Sequence, residues 1–237
     1  MKFTAIGRVY PENAAVWFDR LERTFRHCGQ SGRYTIECKV SQLLIVWDCP
    51  GVDDLDTAKI ATDNLAQSYV SALGFAFGGG YSVDITLVIR EDGQSHFFGP
   101  KTPALEFADT QQVFRDGMSL VARDPHFRFA LIDYCNSLTN HVQSGWYCYR
   151  AVEAIACAFL EEGQCDKPDN QTWNRMHAAL GTSKQDITSI LKPKADPIRH
   201  GNWSNVPETT IAERLAACQL TRDVLKKYLE YRKQAPQ

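Results

Sequence analysis

Four things are missing from this chain: an apolar stretch of bilayer length, a marked imbalance of charge, an internal repeat, and a Cys-x-x-Cys pair. A membrane-spanning helix needs about 18 or more successive apolar residues, and no such run occurs. The opening Met1-Lys2-Phe3-Thr4-Ala5-Ile6-Gly7-Arg8 lacks the apolar core of an export signal. The cytoplasm is therefore the expected compartment, with no membrane partner. Lys and Arg number 26 against 28 Asp and Glu, a net charge of −2. That balance excludes a globally basic surface holding nucleic acid by counterion release, but leaves room for a local basic patch. The eight cysteines, in a long chain without an export signal, are expected as free thiols rather than a disulfide framework. Cys148 and Cys157 fall in a helical pattern that suits small buried side chains. Neither a structural zinc nor a cofactor is expected.

What is present is an ordinary globular composition, 44% hydrophobic and 23% charged, in 237 residues, enough for one or two hydrophobic cores. The first half carries strand signals. Lys2 to Tyr10, a turn at Pro11-Glu12-Asn13, and Ala14 to Asp19 read as a hairpin. Arg33 to Val40 and Leu43 to Asp48 follow as short strands. Tyr81, Val83, Ile85, Leu87 and Ile89 alternate with polar neighbours as in a half-buried strand, and Asp92-Gly93 turns it back through His96-Phe97-Phe98. Between them, Asp53 or Asp54 caps a helix with Ala58, Ala61, Leu65, Tyr69 and Leu73 on one face. The run Gly78-Gly79-Gly80 lacks the Gly-Lys-Ser/Thr of a phosphate-binding loop and reads as a turn.

From about residue 120 the pattern becomes helical, which places the expected boundary between 1–119 and 120–237. Asp124-Pro125 opens one helix, and Gly145 to Glu162 forms a second. Thr172 to Leu180, Ser183 to Leu191, and Pro207 to about Lys233 complete a helical bundle. The expected fold is α+β: an antiparallel-sheet domain with one helix, then an all-α domain.

The most informative segment is Leu191-Lys192-Pro193-Lys194-Ala195-Asp196-Pro197-Ile198-Arg199-His200-Gly201-Asn202. Asp196 reads as an N-cap, Pro197 as a first helical residue and Gly201 as the left-handed residue ending a turn. Two closely spaced prolines argue against a continuous helix through the segment. Lys192, Lys194, Arg199 and His200 suit phosphate chemistry: the cations neutralise charge and the imidazole moves a proton near neutral pH. Asn202 and Trp203 offer hydrogen bonding and stacking to a base. The alternative is that these side chains pack a helix junction, Trp203 against the last helix. Arg150 and Glu153 are spaced for an intrahelical ion pair, or for Glu153 to orient Arg199 or His200 from behind, with Asp196 in the same supporting set. His27 beside Cys28, and His177 near Trp173, read more simply as surface or packing residues.

The segment Trp146-Tyr147-Cys148-Tyr149-Arg150-Ala151-Val152-Glu153-Ala154-Ile155, a Trp-containing short helix, and then Ala195-Asp196-Pro197-Ile198-Arg199-His200-Gly201 resemble the helical domain of HEPN-like bacterial proteins. The nearest likeness is to the ApeA-like group and to methylamine-utilisation J-type proteins. The resemblance covers roughly residues 120 to 237; the first half resembles no family. It implies a helical bundle, often dimeric, and in many members a metal-independent ribonuclease of antiphage defence or toxin-antitoxin systems. In that signature an Arg precedes the His by a short spacer, and here Ala195, Lys194 and Pro193 stand at the permitted positions. The implied functions are RNA cleavage with His200 and Arg199 as catalytic groups, RNA or nucleotide binding, an inactive interaction module, or an accessory role in amine metabolism.

Overall fold

A computed structural model of the chain describes residues 1–27, 30–99, 102–161, 167–202 and 209–234. The fold is α+β, in two compact units, Met1–Lys101 and Thr102–Gln237.

The first unit is a six-stranded antiparallel sheet with one long helix. Its strands are β1 (Lys2–Tyr10), β2 (Phe18–His27), β3 (Gln30–Lys39), β4 (Gln42–Asp48), β5 (Ser82–Arg90) and β6 (Ser95–Phe97), and the helix is α1 (Leu55–Phe77). The sheet order is β2-β3-β4-β1-β5-β6. The expected hairpin between β1 and β2 therefore does not form. Phe3, Ala5 and Val9 of β1 are fully buried, and that stripe is served best by a central position, flanked on one side by β4 and on the other by β5. Chain neighbourhood alone does not supply those two partners.

The strict alternation expected in β5 also breaks. Pairing with β1 shifts register between Ile6 and Gly7, so that Ile6 faces Leu87 and Gly7 faces Ile85. Thr86 is the extra residue of a bulge, and beyond it the inward face passes from Ile85 to Val88, both fully buried. Helix α1 completes the layer. Asp54 caps it by accepting from Thr57 N at 2.7 Å, and Ala58, Thr62, Ala66, Val70 and Gly74 form its buried stripe. Asp63 accepts from Ile85 N at 2.9 Å and Gln67 from Val83 N at 3.1 Å, so the helix satisfies backbone donors of β5 beside the bulge.

The second unit is helical: α2 (Thr110–Val121), α3 (Pro125–Thr139), α4 (Ser144–Cys157), α5 (Asn170–Leu180), α6 (Lys184–Asp186), a π turn (Ile187–Leu191), α7 (Lys192–Arg199) and α8 (Ile211–Gln234). The units divide ahead of the boundary expected from composition because α2 packs with α3 and α8. Lys233 of α8 reaches Asp116 of α2 at 2.7 Å. The core is lined by Phe127, Val152, Ile155, Met176, Leu191, Val224 and Tyr228. No helix among the described residues is long and apolar enough to cross a membrane.

Asp124 fastens this unit. Its Oδ1 caps α3 by accepting from Phe127 N at 3.1 Å, and its Oδ2 accepts from Tyr228 Oη at 2.7 Å and Arg232 Nη1 at 2.6 Å. The carboxylate is 1% exposed, so each bond stands in for lost water. Asp124→Ala would leave the buried Tyr228 O–H without its acceptor and Arg232 without its carboxylate, and would remove the cap. We predict a loss of about 3 kcal/mol or more in unfolding free energy, read from the denaturant midpoint at unchanged slope.

Candidate functional site

Helix formation from Lys184 to Arg199 is continuous despite Pro193 and Pro197. Ser183 caps the start, accepting from Asp186 N at 3.1 Å. The π turn then closes with Lys192 N donating to Ile187 O. In a regular helix the Pro193 ring would press on the Ser189 carbonyl; the wider turn just ahead of it relieves that contact. Ile187, Leu191 and Ala195 anchor the inward side. Asp196 is thus not an N-cap: it lies inside α7, and its carbonyl accepts from His200 N at 3.1 Å. Gly201, at φ +68°, ends the helix. Gly201 N donates to Ile198 O at 3.1 Å and Asn202 N to Pro197 O at 2.8 Å, the paired bonds of a Schellman motif.

This geometry sorts the candidate residues. Arg199, His200 and Asn202 are exposed where the helix ends, and Lys192 is exposed one helix length earlier. Among the described residues, no side-chain hydrogen bond or ion pair is formed by Arg199, His200 or Lys192. Lys194 is withdrawn. Its side chain is only 14% exposed, its Nζ lies 3.6 Å from Glu213 Oε1, and its stem packs against Gly145. A Cβ on Gly145 would stand 2.5 Å from Lys194 Cβ, which is why glycine sits where α4 and α7 meet.

The intrahelical pair of Arg150 with Glu153 is replaced by a contact between helices. Arg150 Nε lies 3.3 Å from Asp133 Oδ2 of α3, with its guanidinium over the Trp146 and Tyr147 rings. Asp133 is 5% exposed, and a carboxylate so buried gains more from a close cation than the half-buried Glu153 would. Burial pushes the Asp133 carboxyl upward, with Arg150 pulling against it. Glu153 makes no hydrogen bond to Arg199 or His200 among the described residues. It shares with Asp196 and Arg199 an electrostatic influence on Tyr149, whose hydroxyl is raised first by burial, then by Glu153, with Arg199 opposing and Asp196 adding to the rise. Trp203, Cys28 and Cys165 lie outside the described residues.

A cleft that the sequence reading did not assemble opens beside this helix. It is lined by Tyr149, Asn170, Trp173, His177, Lys184, Ile187, Thr188 and Lys192, with a volume of about 110 Å³. Trp173 stacks on His177 at 6.0 Å and 28°, and meets Tyr149 at 6.2 Å. His177 Nδ1 lies 2.8 Å from Thr182 Oγ1, which fixes the ring. The signal was divided among three elements, so no local spacing displayed it. No group of three or more His, Cys, Asp or Glu side chains able to hold a metal occurs among the described residues.

A second cluster lies inside the bundle. Cys148 Sγ donates to Cys218 Sγ at 3.9 Å, and the Ser144 and Ser137 hydroxyls lie 3.7 and 3.8 Å from Cys218 Sγ. The shared bond and burial push the Cys148 thiol up. The same bond, with the two serines and Arg214, draws Cys218 down to about 6 against its own burial. At 0% and 1% exposure these thiols form a polar seam between α4 and α8.

Burial, and then Lys184, hold the His177 imidazole below its ordinary value of about 6.5. A depressed histidine gives the unfolded chain the greater proton uptake, so its stabilising contribution is complete above about 6.5 and is lost as pH falls toward the folded value. We predict that the His177 ring resonances titrate below pH 6.5 in NMR spectra. His177→Gln should flatten the fall in stability over that window, measured by denaturation at a series of pH values.

The DUF8168 N-terminal domain, a domain of unknown function, matches residues 3–98, and the DUF8168 C-terminal domain matches residues 114–233. No curated protein and no solved structure matches the chain. The two matched stretches fall within the sheet unit and the helical unit respectively, and the chain belongs to the DUF8168 family.

Proposed function

We propose that the helical unit is a HEPN-like module that binds RNA through the Lys192 to Asn202 side of α7. The observation that carries this reading is the contrast between neighbouring cations. Lys194 and Arg150 are occupied by Glu213 and Asp133, whereas Lys192, Arg199 and His200 stand exposed and unpaired among the described residues. Holding bare positive charge on one helix supports an anionic partner, and the local patch is compatible with a net charge of −2. Asn202, exposed beside His200, adds an amide able to hydrogen-bond a base edge.

Binding is favoured over cleavage because Lys194, the cation at the permitted spacing before His200, is committed to Glu213. A second reading, metal-independent RNA cleavage, rests on the adjacency of exposed Arg199 and His200. There the His200 ring would take the proton of a ribose 2′-hydroxyl as its oxygen attacks phosphorus, Arg199 would stabilise the charged phosphorane, and the P–O5′ bond would break as the 5′-oxygen leaves with a proton returned from His200 or water, giving a 2′,3′-cyclic phosphate. The resemblance to HEPN-like proteins also supports a homodimer formed through the helical unit.

The test is fluorescence anisotropy with a short single-stranded RNA over a salt series, using the full chain. Arg199→Ala or Lys192→Ala should weaken binding about three- to tenfold and reduce the salt slope by about 0.7 per lost phosphate contact. An unchanged slope in both variants contradicts the binding surface. RNA cleavage in the presence of chelator that is lost in His200→Ala would establish the second reading.

A further inference from the structure

The π turn does more than admit Pro193. On a regular helix Lys184 and Lys192 would point about 80° apart. A turn closed by a bond to the fifth residue back holds one residue more than an α turn, and this takes up most of that angle. Both lysines consequently line the same cleft, with Thr188 and Ile187 between them. Neither lysine makes an ion pair among the described residues, and both are exposed. Among the described residues, no carboxylate lines the cleft. Its other wall is aromatic: Trp173 is half-buried against the core, His177 stacks on it, and Tyr149 closes the base. Asn170 contributes an amide at the rim, and the Thr188 hydroxyl is exposed.

We propose that this cleft binds a mononucleotide unit, with its base against the Trp173, His177 and Tyr149 rings and its phosphate between Lys184 and Lys192. The volume of about 110 Å³ suits a single ring system and leaves the charged part of the ligand outside, where the two ammonium groups stand. Stacking requires only a π face, so the cleft tolerates different bases; the paired cations require the phosphate. Aromatic rings beside two ammonium groups are the chemistry that recognises one unstacked nucleotide, whether free or part of an RNA strand. In its RNA form the inference rests on the reading given under Proposed function, extending the contact surface from Arg199 and His200 to a defined base site.

Isothermal titration of the full chain with adenosine 5′-monophosphate, adenosine, inorganic phosphate and a short oligoadenylate separates the sources. The expected result is measurable binding of the monophosphate, with adenosine and phosphate each at least about tenfold weaker. Lys184→Ala with Lys192→Ala should weaken monophosphate binding about tenfold or more, and these exposed positions leave the core untouched. Trp173→Phe should keep binding but lose the ligand-induced quenching of indole fluorescence, a change that simple loss of packing does not produce. No monophosphate binding, binding indifferent to the double variant, or quenching that persists in Trp173→Phe, overturns the proposal. If oligoadenylate binds and depends on Arg199 while the double variant loses only the Lys192 phosphate contact and Trp173→Phe quenches as before, the base site falls and the RNA surface stands. If the monophosphate binds as expected but oligoadenylate does not, the base site stands and the RNA reading falls.

Discussion

Two prolines in a helix that nevertheless runs from Lys184 to Arg199 set the constraint on which the helical unit turns. Each proline removes a backbone donor and crowds the turn before it. The chain resolves the first with a π turn over Ile187–Leu191, and the second within α7, which closes in a Schellman motif at Gly201. The consequence is rotational. Ile187, Leu191 and Ala195 stay in the core, Lys184 and Lys192 share one cleft, and Arg199 and His200 emerge at the exposed end.

The surrounding polar contacts hold that rotation in place. Lys194 pairs with Glu213 while its stem lies on Gly145, so α7 cannot turn about its axis without losing both contacts. Arg150 with Asp133 ties α4 to α3, and Asp124 ties the start of α3 to Tyr228 and Arg232 of α8. Buried or half-buried pairs of this kind add little net stability relative to well-packed apolar side chains, but a missing partner is costly, and this selects one arrangement of helices. The cations left outside this network are then available to a ligand.

The sequence displayed those features that depend on neighbours along the chain. Asp54 and Asp124 were readable as caps, Gly201 as a left-handed helix end, and the apolar stripe of α4 as core, because each is a local rule about backbone donors or helical periodicity. What depended on partners distant in sequence was hidden. The central place of β1 follows from β4 and β5 together, and the bulge at Thr86 rephases β5 against β1. At the candidate site, the exposure of Arg199 and His200 followed from a helix end that could be read locally. The fate of Lys194 and Arg150 depended on Glu213 and Asp133, which no spacing rule points to. The prolines misled for a related reason: a π turn lets a helix keep them, and its cost is met by the tertiary packing of Ile187 and Leu191.

The central claim is that the exposed basic side chains of the Lys184 to Asn202 segment, Lys184, Lys192, Arg199 and His200, form a single ligand-facing surface. Backbone amide shifts of the isotopically labelled full chain, followed by NMR during titration with a short single-stranded RNA, test it directly. The account predicts dose-dependent shifts concentrated at Lys184, Thr188, Lys192, Arg199, His200 and Asn202, and in α5 around Trp173. Shifts confined to the sheet unit, or to the face of α8 away from Glu213, would contradict it.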